Sequence, residues 1–303
     1  MDVASFNSIA GAFTIKIKER CIMSRFFKFF MLDIREGWRR SLAWWLVAAG
    51  VFLILPVAFY LSTLNLRAEG IAAQFTLGDY YFNLTAGGLA YDPTSSTPFT
   101  LPISWFAPIL LLAYITLWYP YHDLMGSGKT MMIASGSRWS WWLAKCAWII
   151  VYVCIYCLIG FVLTTFFALI IGCDHSFIAT DTSALLLRFD SVINFDVTSY
   201  DIMSFLYVVP VVLCALCMLQ LAISLLFRPL WGYVVTISIL FVSAFSGNHF
   251  LLGNSLMAIR STVYVADGVS PLWSTCLGLI AIVASVVIGG YFLTKTDILE
   301  KEA

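Results

Sequence analysis

A chain of 303 residues that is 61% hydrophobic and only 11% charged, with a mean hydropathy of +0.91, falls outside the water-soluble globular class, where charged residues make up about a quarter. The formal net charge is zero, and no nucleic-acid partner is expected. The composition defines an all-α, polytopic membrane protein in which the distribution of charge carries more information than its sum.

Residues 1–22 have no clear periodicity and read as disordered, or as an overrun ahead of a start at Met23, leaving 23–303 as one transmembrane domain. Across residues 26–40 aromatic and charged residues alternate. Wound as a helix, this stretch sets Phe, Met, Leu and Ile on one face and Lys28, Asp33, Arg35, Arg39 and Arg40 on the other, the pattern of an interfacial elbow helix against lipid headgroups. It is not a secretory signal, because the apolar run that follows is too long and has no small-residue cleavage site.

Crossing the hydrocarbon takes about 20 apolar residues in a helix. Six segments qualify: 41–64, 103–120, 145–172, 203–226, 229–247 and 272–294. Pro56, Pro108 and Pro210 fall within spans and mark kinks. Trp44, Trp45, Trp105, Trp118, Trp139, Trp141, Trp142, Trp231 and Trp273 lie near segment ends, where indoles favour the headgroup level. With six spans both termini share a face, and that face holds all 17 Lys and Arg except Arg67, Arg188 and Arg260. The positive-inside rule then makes both termini cytoplasmic, as expected of a plasma-membrane protein.

The opposite loops, 65–102 and 173–202, are polar and acidic, and Asn83-Leu84-Thr85 matches a glycosylation acceptor. Residues 248–271 are too short and interrupted to span, and read as a re-entrant or interfacial hairpin before the last crossing. The Cys154/Cys157 and Cys214/Cys217 pairs lie in apolar runs without His or carboxylate neighbours, so packing is the expected role rather than metal binding. Gly126-Ser127-Gly128-Lys129-Thr130 imitates a phosphate-binding loop, but the pattern requires glycine where Asp123 stands. His122, His175 and His249 are scattered in loops.

An intramembrane enzyme or ion-coupled carrier keeps ionisable groups at mid-membrane, where their burial is tolerated because they work. None lies in the centre of any of the six segments, and Lys145, Arg228 and Lys295 sit at span edges, where they are expected to snorkel. Serines and threonines inside the spans are expected to bond to their own helix carbonyls. Energy for any transport must then come from a partner acting on the basic loops.

Four features carry a resemblance. They are the elbow F-F-M-L-D-I-R-E-G-W-R-R, the loop ending A-S-G-S-R-W-S-W-W-L-A-K, the re-entrant-like stretch before the last span, and the tail F-L-T-K-T-D-I-L. In these the chain from Met23 onward resembles the permease subunits of ABC-2-type transporters, the membrane-spanning subunits of ATP-binding-cassette exporters. The resemblance implies a coupling element at 121–138 that docks an ABC ATPase subunit through Asp123, Met125, Gly126, Lys129, Ser137 and Arg138. It also implies a translocation path at the interface with a second permease, identical or homologous, and a bacterial source. No catalytic residue, metal or cofactor is expected in this chain, with ATP held by the partner subunit. The expected function is export or extraction of an amphipathic substrate, a peptide antibiotic or lipid. The alternative is a non-transporting sensor or assembly module in the membrane.

Overall fold

The computed structural model describes residues 3–68, 75–91, 99–180, 183, 203–265 and 268–295. Side chains before Met23, and those of Trp118, Met125 and Lys129 among others, lie outside the described residues, as do residues 184–202 of the second acidic loop. The expectation for residues 1–22 therefore falls largely outside them, although the backbone continues the first helix back to Val3.

The described residues form eight α-helices: α1 (Val3–Ala68), α2 (Leu77–Thr85), α3 (Ile103–Met125), α4 (Ser127–Ser135), α5 (Arg138–Ile171), α6 (Met203–Leu226), α7 (Pro229–Phe245) and α8 (Pro271–Lys295). Two 3-10 turns, Asn254–Leu256 and Ala258–Arg260, lie between α7 and α8. Among these, α1 over Met23–Asn65, α3, α5, α6 and α8 are long and apolar enough to cross a membrane. The segment expected as the fifth of six crossings is α7, apolar but only 17 residues long. At about 1.5 Å per residue it falls short of a hydrocarbon core about 30 Å thick.

The elbow does not separate from the first span. α1 runs without a break through residues 26–40 into the apolar run, with Pro56 inside it. No proline stands near Ser41 to end the helix there, and Gly37 is taken up within it as a close contact for Trp148, so the amphipathic stretch and the span form one rod. Lys28, Arg35, Arg39 and Arg40 are exposed, together with Phe27, Met31, Trp38 and Leu42, whereas Asp33 is buried.

α1 packs along α5, and α6 packs on α8, α7 and α3. The main core is aromatic. Trp45, Trp105, Trp141, Trp142, Trp148, Tyr152 and Tyr156 are all buried, and the Trp45 and Tyr152 rings stack at 4.2 Å. Of the tryptophans expected in an interfacial belt, those exposed among the described side chains are Trp139, Trp231 and Trp273. Trp45, Trp105, Trp141 and Trp142 fill the bundle instead, because the helices that carry them turn those faces inward. Small residues on α8 admit indoles closely: the buried Trp142 lies against Gly289 and the exposed Trp139 against Gly290, and the Trp142 indole donates to the Val286 carbonyl at 2.8 Å.

A second core closes the opposite end. Phe59 of α1 meets Phe75, Tyr80 and Phe82 with Ala258, Ile259 and Tyr264. α2 begins with a capping box between Thr76 and Asp79. It buries Asn83, so the Asn83-Leu84-Thr85 acceptor is not at the surface of the folded chain. The stretch expected as a hairpin before the last span is built from the two 3-10 turns and a Ser261–Val269 bridge, with residues 252–261 buried.

Candidate functional site

The positively charged end of the bundle carries the residues singled out for coupling. α3 ends at Met125, Gly126 makes the turn, and α4 runs to Ser135 and stops at Gly136 in the left-handed conformation (φ 65°). α5 then starts behind Ser137, whose hydroxyl caps the Ser140 amide. The short helix α4 is therefore held between two long ones.

Beneath it lies an ionic node that joins Lys145 to Asp33 and Asp123. Lys145 Nζ is 2.5 Å from Asp33 Oδ1 and 2.6 Å from Asp123 Oδ2, and the lysine and Asp33 side chains are each 1% exposed. Tyr119 donates its hydroxyl to Asp33 Oδ1 at 2.9 Å, and the Trp141 indole donates to Asp123 Oδ2 at 3.4 Å. The ammonium also faces the Tyr119 ring at 4.9 Å and the Trp141 ring at 5.1 Å. α1, α3 and α5 are tied at one point, and α4 rests on it, because Gly128 approaches Asp123 so closely that a β-carbon there would collide with the carboxylate.

Three expectations change accordingly. Lys145 does not snorkel, since two carboxylates inside the bundle hold it more favourably than a long reach to the headgroups. Asp33 does not belong to the exposed basic face of α1. Asp123 is 6% exposed and committed to Lys145, so it is not free to meet a partner while the node is made.

The other residues assigned to the loop have distinct positions. Arg138 donates to the carbonyls of Leu293 (3.1 Å) and Thr294 (3.4 Å), where a guanidinium suits the partial negative charge at the end of α8. Ser137 is a helix cap. Gly126 is exposed. The Met125 and Lys129 side chains lie outside the described residues. Among the described side chains, α4 exposes Met131 (40%) and Ile133 (60%) beside Thr130, while Met132 between them is buried.

The opposite end is ordered by two buried polar groups. Asp79 accepts from the amides of Thr76 (2.8 Å) and Thr180 (2.6 Å) and from the Thr180 hydroxyl. Burial outweighs these bonds and raises its carboxyl above the ordinary range. Arg260 sends its guanidinium to the carbonyls of Gly88, Ala244 and Ser246 at 2.8–2.9 Å and to the Ser243 carbonyl. It also reaches Asn254 Oδ1 at 2.5 Å, and burial lowers its pKa to about 10. It sews the end of α7 to the 3-10 turns and to the residues after α2.

Within the apolar helices, Thr165, Ser224, Thr236, Ser238 and Ser243 bond to carbonyls of their own helices as expected. Thr164 and Ser285 have no hydrogen-bond partner for their buried hydroxyls. Gln220 was not considered from the sequence, and it donates across to the Ala113 carbonyl of α3 at 2.6 Å.

Five long apolar helices and an aromatic core among the described residues define a helical multi-pass membrane protein. No family model matches the chain, and no curated protein or solved structure matches it.

Proposed function

We infer that the protein is the membrane-spanning permease subunit of an ABC-2-type exporter, moving an amphipathic substrate such as a peptide antibiotic or lipid at the expense of ATP hydrolysed by a separate subunit. The observation that carries this reading is α4. It is a short helix at the Lys- and Arg-rich end, bracketed by Gly126 and Gly136, backed by the Asp123–Lys145–Asp33 node and presenting Met131 and Ile133 outward. A push on such a helix is delivered to α1, α3 and α5 together, which is what a coupling element requires.

On this reading α4 faces the cytoplasm, in keeping with the charge asymmetry of the loops. α7 completes a sixth, shortened crossing, and residues 26–40 of α1 lie at the headgroup level of the cell membrane. ATP belongs to the partner, and a second permease completes the path. The docking contact is apolar, through Met131 and Ile133, flanked by Gly126 and Lys129, rather than through Asp123 or Arg138.

The test is purification of the tagged chain in mild detergent from its native host, with identification of co-purifying proteins and an ATPase assay of the eluate. An ATPase subunit recovered with the wild type and lost with Ile133→Asp, at equal membrane insertion, is the expected result. A chain that emerges alone and inert under conditions that preserve other membrane complexes would instead favour a sensor or assembly module.

A further inference from the structure

An apolar cavity of about 130 Å³ lies within the bundle between α1, α3, α5 and α6, closed at one end by α2 and Leu256. Its depth is set by Phe52, Tyr156, Gly160 and Leu213, all in the middle of long apolar helices. Its partly exposed lining residues gather on α5, α6 and the end of α2: Cys157 and Phe161, Leu206 and Val209, Leu84 and Thr85. The mouth therefore opens between α5 and α6, beside the outward-facing Leu158 and Val162.

Four lining side chains carry an oxygen or nitrogen, and the chain uses every one of them. The Tyr81 hydroxyl donates to the Phe161 carbonyl at 2.9 Å, Tyr156 to Pro108 at 2.9 Å, the Trp105 indole to Leu256 at 3.2 Å and Thr85 to Tyr81 at 2.8 Å. A polar ligand's acceptors would find no free side-chain donor to replace the bonds they left in water. A cavity of this kind stays dry, and one of about 150 Å³ takes a benzene-sized guest.

We propose that this cavity is a binding site for the terminal segment of a bilayer lipid's acyl chain, which enters laterally between α5 and α6 and leaves its headgroup at the membrane surface. A hydrocarbon segment of that size matches the volume and the lack of free polar groups. The bilayer supplies it at the mouth without any aqueous step. The site depends only on the protein lying in a membrane and not on the ATPase partnership, so the two stand or fall separately.

The experiment uses the full chain in phosphatidylcholine vesicles whose acyl chains carry a diazirine near the methyl end, with irradiation and peptide mass spectrometry. Trp105 and Tyr156 are each 2% exposed, so adducts on them require a chain inside the cavity. They are expected in the wild type and absent when the diazirine sits on the headgroup. Leu213→Trp, which fills the cavity, and Val209→Trp, at its rim, are each expected to reduce these adducts about tenfold, the factor that corresponds to about 1.4 kcal/mol of binding. Adducts on the lipid-facing Leu158 and Ile170 should stay constant and report that the variants remain folded. Adducts confined to outward-facing residues in the wild type, or interior adducts unchanged in both folded variants, would overturn the assignment.

Discussion

Lys145 of α5 and Asp33 of α1 meet at 2.5 Å inside the bundle, 112 positions apart in the chain. With Asp123 at 2.6 Å on the other side, one ammonium serves two carboxylates. The second oxygen of Asp33 has no hydrogen-bond partner. The node is therefore an asymmetric one, with two acidic side chains converging on a single ammonium, and its stability rests on the lysine.

That asymmetry sets an order of mutational effects. Lys145→Met leaves two buried carboxylates facing each other, and breaking a buried ion pair in this way costs about 3–5 kcal/mol. Asp33→Asn keeps an oxygen to accept from Tyr119 and Lys145 and leaves one carboxylate for one ammonium, so its cost is expected to be smaller. Thermal unfolding in a fixed detergent at neutral pH ranks the two. An Asp33→Asn loss equal to or larger than that of Lys145→Met would show that the lysine is not the keystone.

Two glycines at the ends of α4 separate backbone strain from the node. Gly136 has φ +65° but open space around its missing side chain, so Gly136→Ala should cost only the left-handed backbone penalty of about 1 kcal/mol. Gly128 is helical, yet a β-carbon there runs into the Asp123 carboxylate. Gly128→Ala must displace Asp123 from Lys145, and its loss is expected to exceed that of Gly136→Ala. The Tm order of the two variants checks this, and a reversed order would mean that α4 does not rest on Asp123.

The sequence disclosed the class of protein and most of its long helices because apolar runs and Lys/Arg placement are one-dimensional signals. The node was also partly legible. Phe29, Asp33, Gly37, Ser41, Trp45, Ala48 and Phe52 are all buried and recur at helical spacing along α1, so position placed Asp33 on the inner stripe even though charge type placed it with the arginines. The Arg260 network was not legible, since nearly all its acceptors are backbone carbonyls that any residue offers. Nor was the continuity of α1, because an amphipathic helix and a span read alike whether or not they are joined. The tryptophans misled for a related reason: a position near a span's end does not say which way the indole points.

Arg260 shows what the missing information holds in place. Arg260→Ala leaves the carbonyls of Gly88, Ser243, Ala244 and Ser246 without that donor, and each buried group left unpaired costs about 1–3 kcal/mol. Arg260→Lys keeps the charge but lacks the planar fork that reaches α7, Asn254 and Gly88 together, so it should restore only part of the loss. Hydrogen exchange localises the effect, with faster exchange expected in residues 252–261 and little change at α4. Full protection of residues 252–261 in Arg260→Ala would remove the arginine from its organising position.

The last expectation concerns pH at the same end. Asp79 has its carboxyl raised above the ordinary 3.8, chiefly by burial, against the bonds from Thr76 and Thr180 that favour the charged form. The folded protein therefore holds this proton more tightly than the unfolded chain. The resulting stabilisation is complete below 3.8 and is lost as pH rises through the folded value. Each unit of elevation contributes about 1.4 kcal/mol to that change. Asp79→Asn has no proton to release, so the Tm difference between wild type and variant isolates this group from other carboxylates. Wild type should gain on the variant as pH falls from neutral toward 4. A difference that is flat with pH, or that runs the other way, would mean that the amide bonds from Thr76 and Thr180 outweigh burial and that Asp79 is an ionised cap.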